Sequence, residues 1–144
     1  MNFQEIFDNW EQDTKIDRSE LGHASLQIPK LHHKYYTIYI GEKAALRKHE
    51  GDLKRLRLDK FEFYTQGHNE ETRTKGWRLP AKGAVLKTEV PVYVDADPDV
   101  IELSLKVGIQ QEKVEFVESI IKSLRERGFL IKNCIDFEKF KMGG

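Results

Sequence analysis

Apolar residues recur at three- and four-residue spacing along most of this chain, which is the period of a helix packed on one side. Phe3, Ile6, Phe7 and Trp10 predict a short amphipathic helix whose broad apolar edge needs a surface to dock on. Asp17, Glu20, Ile16 and Leu21 then combine a capping box with a hydrophobic staple, so a second helix is expected to begin at Asp17. Pro29 should kink or interrupt it. Beyond the proline, Ile28, Leu31, Tyr35 and Ile38 start a stripe that resumes as Leu46, His49, Leu53, Leu56 and Phe63, slipping by one residue near Glu42. Residues 30–65 therefore read as one long helix, bent or weakened at Gly41 and Gly51.

The pattern changes at residues 66–82, where Gly67, Gly76 and Pro80 mark turns. Val85 to Val94 alternates and is β-branched, which predicts a strand confined to a sheet edge by Pro91. Asp97-Pro98-Asp99 carries the cap, first-turn proline and first-turn acid of a new helix. In that helix Val100, Leu103, Val107, Val114, Val117, Ile121 and Leu124 keep heptad spacing, with Gln110 as the polar core position, which argues for helix association within or between subunits and makes them the candidate oligomerisation residues. Gly108 is its weak point, and Arg127-Gly128 is expected to end it, followed by a short strand at Phe129 to Ile131 and a last amphipathic turn through Phe137 and Phe140. The expected fold is mainly α with a small β component (α+β). Its regions are a helical segment 1–67, a loop and β segment 68–96, and an association segment 97–144.

Charge sharpens this outline. The chain is neutral overall, yet residues 1–20 carry six acids against Lys15 and Arg18, while residues 30–60 carry nine Lys or Arg against four acids. On a helix Lys43, Arg47, Lys54 and Arg57 share a narrow sector beside the aromatic run ending at Phe63 and Tyr64. Cations for phosphates next to π-faces for unstacked bases suit single-stranded nucleic acid. The candidate DNA-binding residues are Lys43, Arg47, Lys54, Arg55, Arg57, Lys60 and Tyr64; the plainer alternative is a solvated helix face. Trp77, among Arg73, Lys75, Arg78 and Lys82, suits either a loop anchor or a base-stacking ring.

Other chemistry is excluded by what the pattern lacks. No glycine-rich phosphate loop, no nucleophile with an adjacent base and no metal-ligand spacing around His32, His33 or His49 can be found, so an enzyme, a metal and a cofactor are not expected. The acids Asp95, Asp97 and Asp99 read as a helix cap rather than a calcium loop. A single cysteine, Cys134, forbids an intrachain disulfide and suits a reducing compartment. With 33% charged and 39% hydrophobic residues, an acidic start and no long apolar run, the chain reads as a soluble cytoplasmic protein without a membrane span.

The tail RGFLIKNCIDFEKF, with Arg127, Gly128, Phe129, Ile131, Lys132, Asp136 and Phe140, resembles the ending of the UvsY recombination mediator proteins of T-even-type bacteriophages. The resemblance extends back through the acidic opening helix, the Ile16-Asp17 helix start and the basic helix closing on Phe63-Tyr64. It implies a non-enzymatic loader in the host cytoplasm that binds single-stranded DNA, contacts the single-strand-binding protein and the phage recombinase, and starts the presynaptic filament. It also implies a homo-oligomeric ring of six or seven subunits that needs the C-terminal region. The family's Leu-Lys-Ala-Arg-Leu element aligns either with Arg57, Leu58, Asp59, Lys60 and Phe61 or, shifted upstream, with Lys54, Arg55 and Leu56. A coiled-coil adaptor without DNA binding is the competing reading.

Overall fold

The computed structural model describes residues 1–143. Among these residues five helices follow one another: α1 (Phe3–Asp13), α2 (Leu21–Gln66), α3 (Glu70–Thr74), α4 (Val90–Asp95) and α5 (Pro98–Lys141). Among the described residues there is no strand, so the fold is all-α and the expected β component is corrected on both segments.

The first correction is at Val85 to Val94. A strand would turn Val90, Val92 and Val94 to one face, but Val90 and Val94 are buried while Val92 is 69% exposed, which is helical spacing. Pro91 sits in the first turn of α4, where no backbone N–H is required. Burial of Val85, Val90 and Val94 against Phe63 and Tyr64 overrides the β preference of the valines. The second correction is the tail. Gly128 does not adopt the left-handed conformation of a helix-ending glycine, and α5 continues to Lys141 with Ile131 buried one turn after Arg127. Gly108 likewise leaves α5 unbroken, since one glycine costs a helix only about 1 kcal/mol relative to alanine.

Helix α2 begins four residues later than its start signals imply. The Asp17 carboxylate accepts from the Ser19 amide and hydroxyl at 2.9 and 2.6 Å, and Glu20 N–H bonds the Asp17 carbonyl, which closes a turn ahead of the helix. Pro29 lies inside α2 without ending it. Where the stripe slips, Glu42 is buried and pairs with Lys113 at 3.1 Å.

The chain divides into two compact units, one of Met1–Ala44 with the chain from Gln111 onward and one of Ala45–Gln110. In the first, Ile6, Tyr35, Val117, Ile120, Ile121 and Leu124 form the core. Helix α1, too short to persist alone, starts on an Asn2–Glu5 capping box and is held by the full burial of Ile6 and by the ring of Trp10 set edge-on to Tyr35. The core of the second unit is Phe63, Tyr64, Val85, Val90, Val94 and Val100. The heptad residues are thus largely absorbed by their own chain: Val100, Val114, Val117, Ile121 and Leu124 are buried, and Leu103 and Val107 are half-buried.

Candidate nucleic-acid interface

The cations singled out on α2 have different surroundings. Arg47, Lys54 and Arg55 are exposed and have no ion-pair partner among the described residues. Lys54 and Arg55, with Gly51, Leu58 and Asp59, line an open depression of about 370 Å³ in the second unit. Arg57 reaches Asp95 in a pair that leaves both side chains substantially in water, so a competing phosphate could displace it at little cost. In the first unit Lys43 is half-buried, with its ammonium 6.0 Å from the centre of the Tyr39 ring.

Lys60 and Tyr64 are placed otherwise. Lys60 is 2% exposed and lies 3.1 Å from Asp97, 2.8 Å from Asp99 and 3.9 Å from the centre of the Trp77 ring. The Tyr64 hydroxyl, also inside, donates to Asp97 Oδ2 at 2.6 Å. Asp97 Oδ1 meanwhile accepts from the backbone amides of Asp99 and Val100 at 2.9 and 3.2 Å. One carboxylate therefore caps α5 with one oxygen and binds α2 with the other. Burial pushes the Asp97 carboxyl up, but the bonds from Tyr64, Lys60 and Val100 outweigh it and hold the group below the usual carboxylate range. Burial together with the Asp97 charge pushes the Tyr64 hydroxyl up. Gly76, in the left-handed conformation, lets the Trp77 amide bond the Thr72 carbonyl and brings the indole under Lys60, so Trp77 is a loop anchor.

A second polar centre sits in the first unit. Arg127, 6% exposed, donates to the carbonyls of Asp13 and Thr14 at 3.1 and 3.2 Å, capping the C-terminus of α1, and its guanidinium stands 5.5 Å from the Trp10 ring. The Asp13 carboxylate accepts from Lys34 at 2.6 Å and from the Tyr35 hydroxyl at 2.7 Å. Burial raises the Asp13 carboxyl, and the two hydrogen bonds with the charges of Lys34 and Arg127 more than offset that and lower it. Burial lowers the Arg127 guanidinium, opposed by Asp13.

The profile of the family described as recombination, repair and ssDNA binding protein UvsY matches residues 9–144. The chain belongs to the UvsY family. No curated protein sequence matches it. Solved structures of the bacteriophage T4 recombination mediator protein UvsY share its fold. The lattice type II form aligns with a TM-score of 0.82 at 18% identity, covering 99% of this chain and 98% of that one. The lattice type I form gives 0.79 at 18% identity over 95% and 98%, and the type IV form gives 0.77 at 17% over 98% and 99%.

Seen as a UvsY-family member, the chain divides its basic residues between exposed positions and a buried anchor, and residue type alone does not distinguish them. Reading the sequence missed the roles of Asp13 and Arg127, which are 114 positions apart. For Lys60 the sequence does carry a signal: it lies one turn before Tyr64, and the acids Asp97 and Asp99 that meet it belong to the helix-start pattern Asp97-Pro98-Asp99. Among the described residues no group of His, Cys, Asp or Glu could hold a metal ion, and no helix is long and apolar enough to cross a membrane.

Proposed function

We propose that this chain is a recombination mediator that binds single-stranded DNA with little sequence preference and helps a recombinase load onto strands covered by single-strand-binding protein, so starting the presynaptic filament. The observation that carries this reading is the exposed, unpartnered set Arg47, Lys54 and Arg55 on a chain of the UvsY family. Lys43 and Arg57 extend the phosphate contacts, Arg57 by exchanging Asp95 for a phosphate. Lys60 and Tyr64 support the interface by holding α2 to the start of α5. No catalytic group is required of such a loader.

One subunit with so few phosphate contacts would bind weakly at physiological salt, and repetition around a six- or seven-membered homo-oligomeric ring would raise the effective concentration. The heptad residues being largely turned inward, the surface for joining copies is the opposite stripe of α5, where Ile101, Leu105 and Ile109 are 45%, 64% and 58% exposed at four-residue spacing. The test is titration of an oligothymidylate at several salt concentrations with Lys54→Ala/Arg55→Ala, whose stability and sedimentation should match wild type. Affinity should fall, and the slope of log affinity against log salt should flatten by roughly 0.7 per lost phosphate contact. An unchanged slope would remove these residues from the interface, and a wild-type chain that ignores the oligonucleotide would leave the adaptor reading.

A further inference from the structure

In the first unit, Tyr36 and Tyr39 on α2 and Glu115, Glu118, Lys122 and Arg125 on α5 are among the residues lining an open groove of about 630 Å³, large enough for one or two nucleobases. Tyr36 is 44% exposed, and its ring lies 5.8 Å from that of His32 at an interplanar angle of 11°, a stacked pair. Tyr39 stands 6.0 Å from Tyr36, and Lys43 approaches the Tyr39 ring. Neither tyrosine makes a hydrogen bond or an ion pair among the described residues. Their rings contact one another, and their hydroxyls differ from those of Tyr35 and Tyr64, which are bound to Asp13 and Asp97.

Two acids and two bases line the groove, so its charges cancel and it has little long-range pull on phosphates. What it presents is a flat aromatic surface with cations at hand. An aliphatic partner face would be matched by aliphatic side chains, such as the leucine and isoleucines of α5, whereas the exposed Tyr36 ring, stacked on His32 in a groove that Lys122 and Arg125 also line, matches a neutral base attached to a charged backbone. We propose that this groove is a base-stacking subsite for single-stranded DNA, in which an unpaired base lies against Tyr36 while the adjoining phosphates meet the flanking cations. The proposal rests on the single-stranded DNA-binding reading and deepens it: Arg47, Lys54 and Arg55 would supply the salt-dependent attraction, and Tyr36 a contact that salt does not screen.

The experiment compares Tyr36→Ala, Tyr36→Phe and Lys54→Ala/Arg55→Ala in the full chain, binding an oligothymidylate and an abasic strand with the same number of phosphates. Tyr36→Ala should weaken binding to the oligothymidylate at least about fivefold with the salt slope unchanged, and should remove most of the preference over the abasic strand. Tyr36→Phe should restore both, because stacking needs the ring and not the hydroxyl. The proposal is overturned if Tyr36→Ala leaves affinity and preference at wild-type values while Lys54→Ala/Arg55→Ala still flattens the slope, a result that spares the DNA-binding reading. It is equally overturned if Tyr36→Ala lowers the sedimenting mass, which would make the face a contact between copies. If wild type binds neither strand, the broader reading falls and this one with it.

Discussion

The two polar centres use the same parts with opposite polarity. Each pairs a tyrosine hydroxyl on α2 with an aspartate at the end of another helix: Tyr35 with Asp13, the last residue of α1, and Tyr64 with Asp97, just ahead of α5. At the start of α5 the carboxylate itself accepts the free amides, which also sets its negative charge at the positive end of the dipole. At the end of α1 the carboxylate would face the negative end of the dipole and cannot accept from carbonyls, so Arg127 caps them and also faces Asp13. The same residue pair can anchor either end of a helix, but the C-terminal end takes a second cation: Lys34 supports the Asp13 carboxylate as Lys60 supports Asp97, while Arg127 caps the backbone carbonyls. Lys60 is therefore more deeply committed to its aspartate than Arg127 is.

Replacing those two cations tests this difference. Lys60→Ala leaves Asp97 without its buried cation and should cost roughly 3–5 kcal/mol in urea unfolding. Arg127→Ala exposes two carbonyls, but Asp13 keeps Lys34 and Tyr35, so the loss should be nearer 1–3 kcal/mol. Equal losses would break the comparison.

Acid sharpens it next. The Asp97 carboxyl is held below its ordinary value of 3.8, so its stabilising effect is present above that pH and is lost as the pH falls through the lower folded-state value. The penalty of Asp97→Asn, measured against wild type by urea unfolding, should be largest near neutral pH and shrink in strong acid. A penalty independent of pH would mean that the shape of Asp97 matters and its charge does not.

Smaller effects come from positions outside both centres. Gly108→Ala in one unit and Gly128→Ala in the other should each stabilise by up to about 1 kcal/mol in thermal unfolding, since neither glycine has positive φ and an added Cβ meets no atom within 4 Å. Smallest should be the effect of Lys54→Ala/Arg55→Ala on stability, within about 0.5 kcal/mol because both side chains are exposed. That outcome, beside the large cost of Lys60→Ala, would separate cations that bind from cations that hold the fold.

Much of this was legible along the chain. The amphipathic α1, the long basic α2, the Asp97-Pro98-Asp99 start of α5 and the apolar stripe through Val114, Val117, Ile121 and Leu124 follow from helical period and capping chemistry, which act over a few residues. The two expected strands are helical instead because β-branched runs and glycine are local preferences of a fraction of a kcal/mol to about 1 kcal/mol per residue, outweighed when Val90, Val94 and Ile131 reach an interior.

By itself, then, the sequence determined that the chain is built from long amphipathic helices and where its positive charge concentrates. Only the tertiary structure decided which of the basic residues face water. Arg47, Lys54, Arg55 and Lys60 are all cations of α2, and Lys54 and Lys60 are even the same residue type; what separates them is the arrival of Asp97, Asp99 and Trp77 from distant positions to pair and cover one of the four. Such burial depends on contacts across tens of residues, and a local pattern such as the place of Lys60 one turn before Tyr64 hints at them without fixing them.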